Sequence, residues 1–286
     1  LSCSVLSCSV PLRSDPPRAD AFSITPADSG AMKTSGGSNA AKRRAGESAA
    51  AAVDDGDVVG LGTGSTAAHA IRRLGERVDA GLDVRGVPTS FASRELAADQ
   101  GIPLVDLDRA VGPDAPGIDL AIDGADQVVT VAESGGGAGE HTDDTGESLG
   151  PANALVKGGG AAHAREKLVD AAADRFLVVA DPSKETAVLD RPVPVEVLPA
   201  ARSVVAEAVR SAGGDPELRA AERKDGPVVT DNGNLVLDCA FGGIADPSAL
   251  SATLSGTPGV VEHGLFVDLA DEIHVGTETG VRVVTR

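Results

Sequence analysis

Three short runs of this sequence carry residue types that could do chemistry. The first, Gly60-Leu-Gly-Thr63-Gly64-Ser65-Thr66, stands between a short apolar run and a helical pattern. Glycines let a backbone approach an anion, and a helix start offers unpaired N–H groups and the positive end of a dipole. Ser65 and Thr66 add hydroxyl donors. No Lys-Ser/Thr pair follows, so this is not a P-loop, and the spacing breaks the dinucleotide fingerprint. A small phosphate group fits it best; a bare strand-to-helix turn is the plainer alternative. The second run, Asp123-Gly-Ala-Asp126, ends an apolar strand. Carboxylates there face the crevice where α/β proteins bind ligands, and could contact hydroxyls or move protons. A metal pair is the rival, without a histidine nearby in sequence, and Asp-Gly is also ordinary turn chemistry. In the third, Lys157-Gly158-Gly159-Gly160, a lysine precedes several bared backbone N–H groups, the makings of an anion hole. Glu166, on the helix that follows, could take a proton from carbon beside such a hole, or could form a solvated face with Lys167.

Other candidates are weaker. Asp181-Pro-Ser183-Lys184 ends a further strand and supplies another of the scarce lysines. His69 and His163 fall at helical spacing among alanines and read as structural residues, while His141, His263 and His274 have no partners in the pattern. Cys3, Cys8 and Cys239 include no C-x-x-C pair, so neither a disulfide framework nor a zinc site is implied, and a reducing cytoplasm is the expected compartment.

Elements of two kinds must position these runs. From Ala40 onward helical and strand-like stretches take turns: helices over 40–54, 66–78, 90–100 and 161–174, strands over 57–61, 84–87, 104–107, 119–122 and 175–180. That alternation predicts a mostly parallel sheet covered on both faces. Beyond Pro192 the order becomes β-α-β-β-α-β, with strand-like stretches at 194–197, 217–223, 227–230, 234–239 and 260–266, and helices at 200–212 and 247–254. This is the split βαβ, ferredoxin-like arrangement. Strands at 272–275 and 281–284 are expected to return to the first sheet. Residues 133–150 (ESGGGAGEHTDDTGESLG) have the composition of a solvated loop, read as an acidic surface insertion rather than a lid. Residues 1–39 read as a tail, whose first 31 residues lie upstream of the only methionine, Met32, and carry no function.

Composition narrows the function. A net charge of −18, no Trp or Tyr and only five Phe argue against nucleic-acid binding, which needs a basic face and stacking rings. No apolar run reaches the length of about 18 residues that spans a membrane. Excess acid, few lysines and small core residues suit a cytoplasm of high salt, where charge is screened within about 3 Å at 1 M; an ordinary acidic protein is the alternative.

Taken in order, GLGTGSTA, GVPTS, DGAD, LVKGGGAAHAREK, VVADPSK, PVPVEVLPAA, VTDNGN and GVVEHGLF resemble the type A ribose-5-phosphate isomerases. The resemblance covers roughly residues 40–286. It implies an α/β fold: a Rossmann-like, mostly parallel sheet domain over 40–191 and 267–286, with a second, smaller ferredoxin-like α+β domain over 192–266. It further implies interconversion of D-ribose 5-phosphate and D-ribulose 5-phosphate in the non-oxidative pentose phosphate pathway. By the same resemblance Glu166 matches the catalytic base, Asp123 the carboxylate of ring opening and hydroxyl proton transfer, and Asp126 a sugar-hydroxyl contact. Lys157 with Gly158, Gly159 and Gly160 would stabilise the enediolate oxygen. Thr63, Gly64, Ser65 and Thr66 match the phosphate loop, with Lys42 and Lys184 as cationic partners. No metal or cofactor is implied, and the family's dimers or tetramers suggest a homo-oligomer. Two departures stand out: Gln127 replaces the family's usual acid, and 30 residues separate Asp126 from Lys157, far more than usual. The competing readings are a related sugar-phosphate deaminase or lactonase, and a non-catalytic sugar-phosphate sensor. The sensor would leave Glu166 and Asp123 without work.

Overall fold

The computed structural model describes residues 37–130, 153–223 and 225–286. Residues 1–36 of the expected 1–39 tail and the insertion at 133–150 lie outside the described residues, and the last residue of that tail, Asn39, already begins the first helix. Helix α1 (Asn39–Ala51) starts where the Ser38 hydroxyl accepts the Ala41 N–H at 3.1 Å. Strand β1 (Val58–Leu61) follows, then α2 (Ala67–Asp79), β2 (Arg85–Pro88), α3 (Phe91–Asp99), the single turn α4 (Leu107–Ala110) and β3 (Ile118–Gly124). Next come β4 (Gln127–Val129), β5 (Ala154–Val156), α5 (His163–Asp170) and β6 (Ala173–Ala180). The remaining elements are β7 (Glu185–Thr186), β8 (Val193–Val197), α6 (Arg202–Ser211), β9 (Asp215–Leu218), β10 (Leu235–Ala240), α7 (Pro247–Ser255), β11 (Val260–His263), β12 (Leu265–Val267), β13 (Glu272–Gly276) and β14 (Val281–Thr285).

The largest sheet has the order β14-β13-β6-β3-β1-β2. All neighbours are parallel except β14, which closes one edge as an antiparallel hairpin with β13. Every residue of β1 (VVGL) is buried, as a central parallel strand covered on both faces requires. Small residues let α1 lie close: a Cβ on Gly276 would sit 2.0 Å from Ala41 O, and one on Gly46 would meet Ala70 N at 2.7 Å. The chain leaves β1 toward β2 on one side and later returns as β3 on the other. The crevice between the carboxyl ends of β1 and β3 is therefore a topological switch point, where open α/β sheets hold ligands.

A second, antiparallel sheet has the order β11-β8-β10-β9, with α6 and α7 connecting its strands in the ferredoxin-like pattern. Its own core gathers Val193, Val195, Val197, Val205, Val209, Leu237 and Leu254. A third sheet, β12-β5-β4-β7, was not foreseen. It exists because the stretch expected as one strand over 260–266 breaks at Gly264. There the backbone passes so close to the Lys157 carbonyl that a Cβ would lie 2.2 Å from its oxygen. Residues before Gly264 pair with β8, and those after it pair with β5.

Other boundaries differ for similar reasons. Residues 104–107 form no strand: Leu104 makes a single bridge to Gly86, and Asp106 is the N-cap of α4. The helix expected through 174 stops at Asp170, since the residues from Ala173 on enter the ladder with β3. Strand β9 ends at Leu218, and 227–230 contributes isolated bridges only.

Candidate active site

The end of β1 runs directly against Asp123. A Cβ on Gly62 would fall 2.3 Å from the Asp123 carboxyl carbon, so only glycine allows the approach. Asp123 Oδ1 then accepts the Thr63 N–H at 2.9 Å and the Gly124 N–H at 2.6 Å. Gly64 holds φ at +110°, and Thr66 is the N-cap of α2 without a side-chain cap bond, so its hydroxyl does not close the amides of the first helical turn. Ser65 is half-buried and Thr66 buried. The Thr63 hydroxyl is taken up by Thr89 Oγ at 3.0 Å and Ser90 Oγ at 2.8 Å. Those two residues belong to the GVPTS run, which sequence reasoning quoted without giving it work.

Beside this loop lies a charged cluster sealed from water. Lys157 Nζ is 2.9 Å from Asp123 Oδ2, 3.4 Å from Glu166 Oε2 and 2.6 Å from Gly124 O, to which it donates. Asp123, Lys157, Glu166 and Asp170 are all buried. Burial raises the Glu166 pKa to about 8, opposed by the Lys157 ammonium and assisted by the charges of Asp123 and Asp126. Burial also raises Asp123, again against Lys157, and holds Asp170 well above the ordinary carboxylate range. For Lys157, burial acts to lower the pKa, but Asp123, Glu166 and Asp170 outweigh it and keep the ammonium charged. Asp170 was missed in the sequence. Its signal was available, since it follows Glu166 by one helical turn on the same face of α5.

The glycine loop closes the other side. Gly158 holds φ at +99°, where a Cβ would strike the His163 ring, and Ala161 holds φ at +60°, unusual for a residue with a side chain. The Gly159 N–H donates to Asp126 Oδ2 at 2.7 Å and the Ala161 N–H to Gly158 O at 3.0 Å. On the outer face Arg219 Nη1 donates to Gly158 O at 2.9 Å. Neither Arg219 nor its partner Asp238 was a sequence candidate. Lys42 and Lys184 are both buried. Burial lowers the Lys184 pKa; Asp126 and Asp181 act upward, Arg191 and Lys42 downward, which places these groups in one electrostatic neighbourhood.

Gln127 has a structural account. Its Nε2 donates to Asp190 Oδ1 at 2.7 Å, and its Oε1 accepts from the Asp190 and Arg191 amides at 2.9 and 3.1 Å. A glutamate there would lose the donor and face Asp190 with like charge. His163 is fully buried against Glu262 O, and burial lowers its pKa to about 3, so it stays neutral as a core residue. Among the described residues no helix is long and apolar enough to cross a membrane.

A buried carboxylate beside a permanent ammonium, next to a glycine loop at the switch point of a parallel sheet, defines an α/β enzyme built for proton transfer on a small anionic substrate. Comparison with known proteins makes this particular. The family profile described as Ribose 5-phosphate isomerase A (phosphoriboisomerase A) matches residues 85–143 and 140–280, and the chain belongs to that family. It is 78% identical over 255 residues to the ribose-5-phosphate isomerase A of Halorubrum lacusprofundi, covering 89% of this chain and 100% of that protein. The Haloarcula marismortui enzyme is 66% identical over 250 residues, covering 87% and 97%. Both come from halophilic archaea, in keeping with the acidic composition. Among solved structures, ribose 5-phosphate isomerase A from Methanocaldococcus jannaschii superposes with a TM-score of 0.73 at 40% identity, covering 86% of this chain and 98% of that one. A D-ribose-5-phosphate isomerase in complex with phospho-erythronic acid gives 0.74 at 38% identity, covering 86% and 97%.

Proposed function

We propose that this enzyme interconverts D-ribose 5-phosphate and D-ribulose 5-phosphate through an enediolate. The observation that carries the proposal is Lys157 held between Asp123 and Glu166, out of water, at the carboxyl end of β3. Asp123 opens the sugar ring and moves the hydroxyl proton. Glu166, as carboxylate, takes the proton from C2 of the open aldose; the C–H electron pair becomes the C1–C2 double bond and O1 gains negative charge. The protonated Glu166 then returns its proton to C1, while the proton on O2 passes to O1 by way of Asp123. A base with a pKa near 8 exchanges such a proton at little cost near neutral pH.

Lys157 and the amides of Gly158, Gly159 and Gly160 balance the charge on the enediolate oxygen, so no metal or cofactor enters the scheme. Asp126 takes a sugar hydroxyl. Thr63, Gly64, Ser65 and Thr66 receive the phosphate at the start of α2, with Lys42 and Lys184 as its cations. Phospho-erythronic acid would occupy the same crevice, its carboxylate standing in for the reacting carbons. The enzyme works in the cytoplasm, a reading supported by the free thiol of buried Cys239. It assembles as a homodimer or homotetramer, in keeping with the exposed rings and chains of Phe91 and Leu168.

The test is isomerisation of ribose 5-phosphate in concentrated KCl by the wild type and by Glu166→Gln. Turnover by the first and a loss of about 10²–10⁴-fold in the second is the expected result. A folded wild type that binds the sugar phosphate without converting it would sink the enzyme reading in favour of a sensor.

A further inference from the structure

The glycine loop that faces the substrate is held from behind by the second sheet. Arg219, just past β9, is anchored through its backbone: its N–H donates to Val236 O at 2.9 Å and its carbonyl accepts the Val228 N–H at 2.9 Å. The guanidinium forks onto Asp238 of β10, with Nε 2.8 Å from Oδ2 and Nη2 bonded to Oδ1. That pair fixes the plane of the guanidinium. Its remaining nitrogen, Nη1, donates to Gly158 O at 2.9 Å and to Gly159 O at 3.3 Å.

Peptide geometry makes this contact consequential. In a trans peptide the carbonyl of one residue and the N–H of the next point in opposite directions. Holding the Gly158 and Gly159 carbonyls outward therefore aims the Gly159 and Gly160 N–H groups inward, where Gly159 already meets Asp126 Oδ2 at 2.7 Å. The loop needs such a hold, because Gly158 and Ala161 both carry positive φ and glycines have many alternatives. A cationic donor on the carbonyls also polarises those peptide units and strengthens their N–H donors.

We infer that Arg219, oriented by Asp238, is a positioning residue for the isomerisation: it fixes the amides that receive the enediolate oxygen and touches no substrate atom itself. The inference rests on the isomerase reading. It makes the catalytic centre dependent on the second sheet, although every residue expected to touch the sugar lies outside that sheet. A cleft of about 750 Å³ is bordered by Gly159, Gly160, Arg219, Arg223 and Asp238, so small solutes can reach this contact.

The experiment compares the full-length wild type with Arg219→Ala, Arg219→Lys and Asp238→Asn in concentrated KCl. Arg219→Ala should lower kcat roughly tenfold or more, approaching the ~10²–10³-fold that loss of an oxyanion donor itself costs, while KM moves less than about threefold. Affinity for phospho-erythronic acid should fall with kcat, affinity for inorganic phosphate should not, and amide exchange of the segment 157–164 should quicken. Arg219→Lys keeps the charge without the fork and should fall between. Millimolar guanidinium should restore part of the Arg219→Ala rate. If Arg219→Ala does not fold, Arg219→Lys and Asp238→Asn decide by the same kcat-against-KM split. Unchanged kcat per folded enzyme with unchanged exchange, or losses that follow the folded fraction alone, would overturn the inference. An inactive wild type whose exchange still responds to Arg219→Ala would instead overturn the isomerase reading and keep the loop contact.

Discussion

Asp123 Oδ2 and Lys157 Nζ stand 2.9 Å apart where neither side chain reaches water. Strand β3 delivers one and the residue after β5 delivers the other, so two different sheets meet at this pair. The ammonium must serve Asp123, Glu166 and Asp170 together, and three buried carboxyls cannot all ionise around one cation. Burial first, and then the neighbouring carboxylates against the pull of Lys157, keep Glu166 ready to hold a proton near neutrality.

The pH profile should report that competition. The base must be ionised to act, so kcat/KM should fall as pH drops through an apparent pKa near the value of about 8 to which burial pushes Glu166. Because the Lys157 charge pulls Glu166 down, Lys157→Met should move this limb to higher pH besides slowing the reaction. A flat profile between about pH 6 and 9 would contradict the assignment of the base.

Asp170 tests burial without chemistry. Its folded pKa is raised, and neither carboxyl oxygen has a hydrogen-bond partner. The unfolded chain therefore releases this proton first, and the native state loses relative stability as pH rises above the ordinary carboxylate value near 4. Asp170→Asn removes that cost, so its melting temperature relative to wild type should climb between about pH 4 and 7. A pH-independent difference in melting temperature would refute this.

Gly62→Ala probes the approach of β1 to Asp123. The added methyl must displace a carboxylate 2.3 Å away, so most activity should disappear, with about 1–3 kcal/mol of stability. Gly280→Ala, where a Cβ meets nothing within 4 Å, serves as the neutral control. Retention of full activity in Gly62→Ala would show that the contact is not needed.

Glu196 holds the turn that faces the GVPTS run. Its buried Oε1 accepts from Thr230 Oγ at 2.9 Å, Asn232 Nδ2 at 3.1 Å and Asn234 Nδ2 at 2.8 Å, and the turn's Asp231 accepts the Phe91 N–H at 3.0 Å. Glu196→Ala leaves these donors unpaired and should cost about 2–4 kcal/mol in denaturant titration. A loss within 0.5 kcal/mol, the ordinary scatter of surface substitutions, would show that water replaces the carboxylate freely.

Salt should act on the whole molecule. With a net charge of −18, self-repulsion weakens the folded state until screening shortens its range to about 3 Å at 1 M. Melting temperature should therefore rise from low to molar KCl. A salt-independent melt would leave the acidic composition without this physical role.

What could be read in the sequence was whatever is local. Glycine runs at strand ends, the 3.6-residue and two-residue periods, and the acid, lysine and Glu166 in their ordered motifs all lie within short windows, where backbone chemistry dictates the pattern. Hence the parallel sheet, the split βαβ unit and three members of the buried cluster, Asp123, Lys157 and Glu166, were named before their positions were known, while Asp170 was not. Tertiary structure alone decided where distant segments meet. No window contains both Gly264 and Lys157, whose close approach divides one apolar run between two sheets. None contains Arg219 with Gly158, or shows that Asp170 faces Asp123 and Lys157 rather than water. Burial and long-range hydrogen bonding are properties of the packed chain, and they raise the pKa of a carboxyl group that would otherwise be a solvated charge.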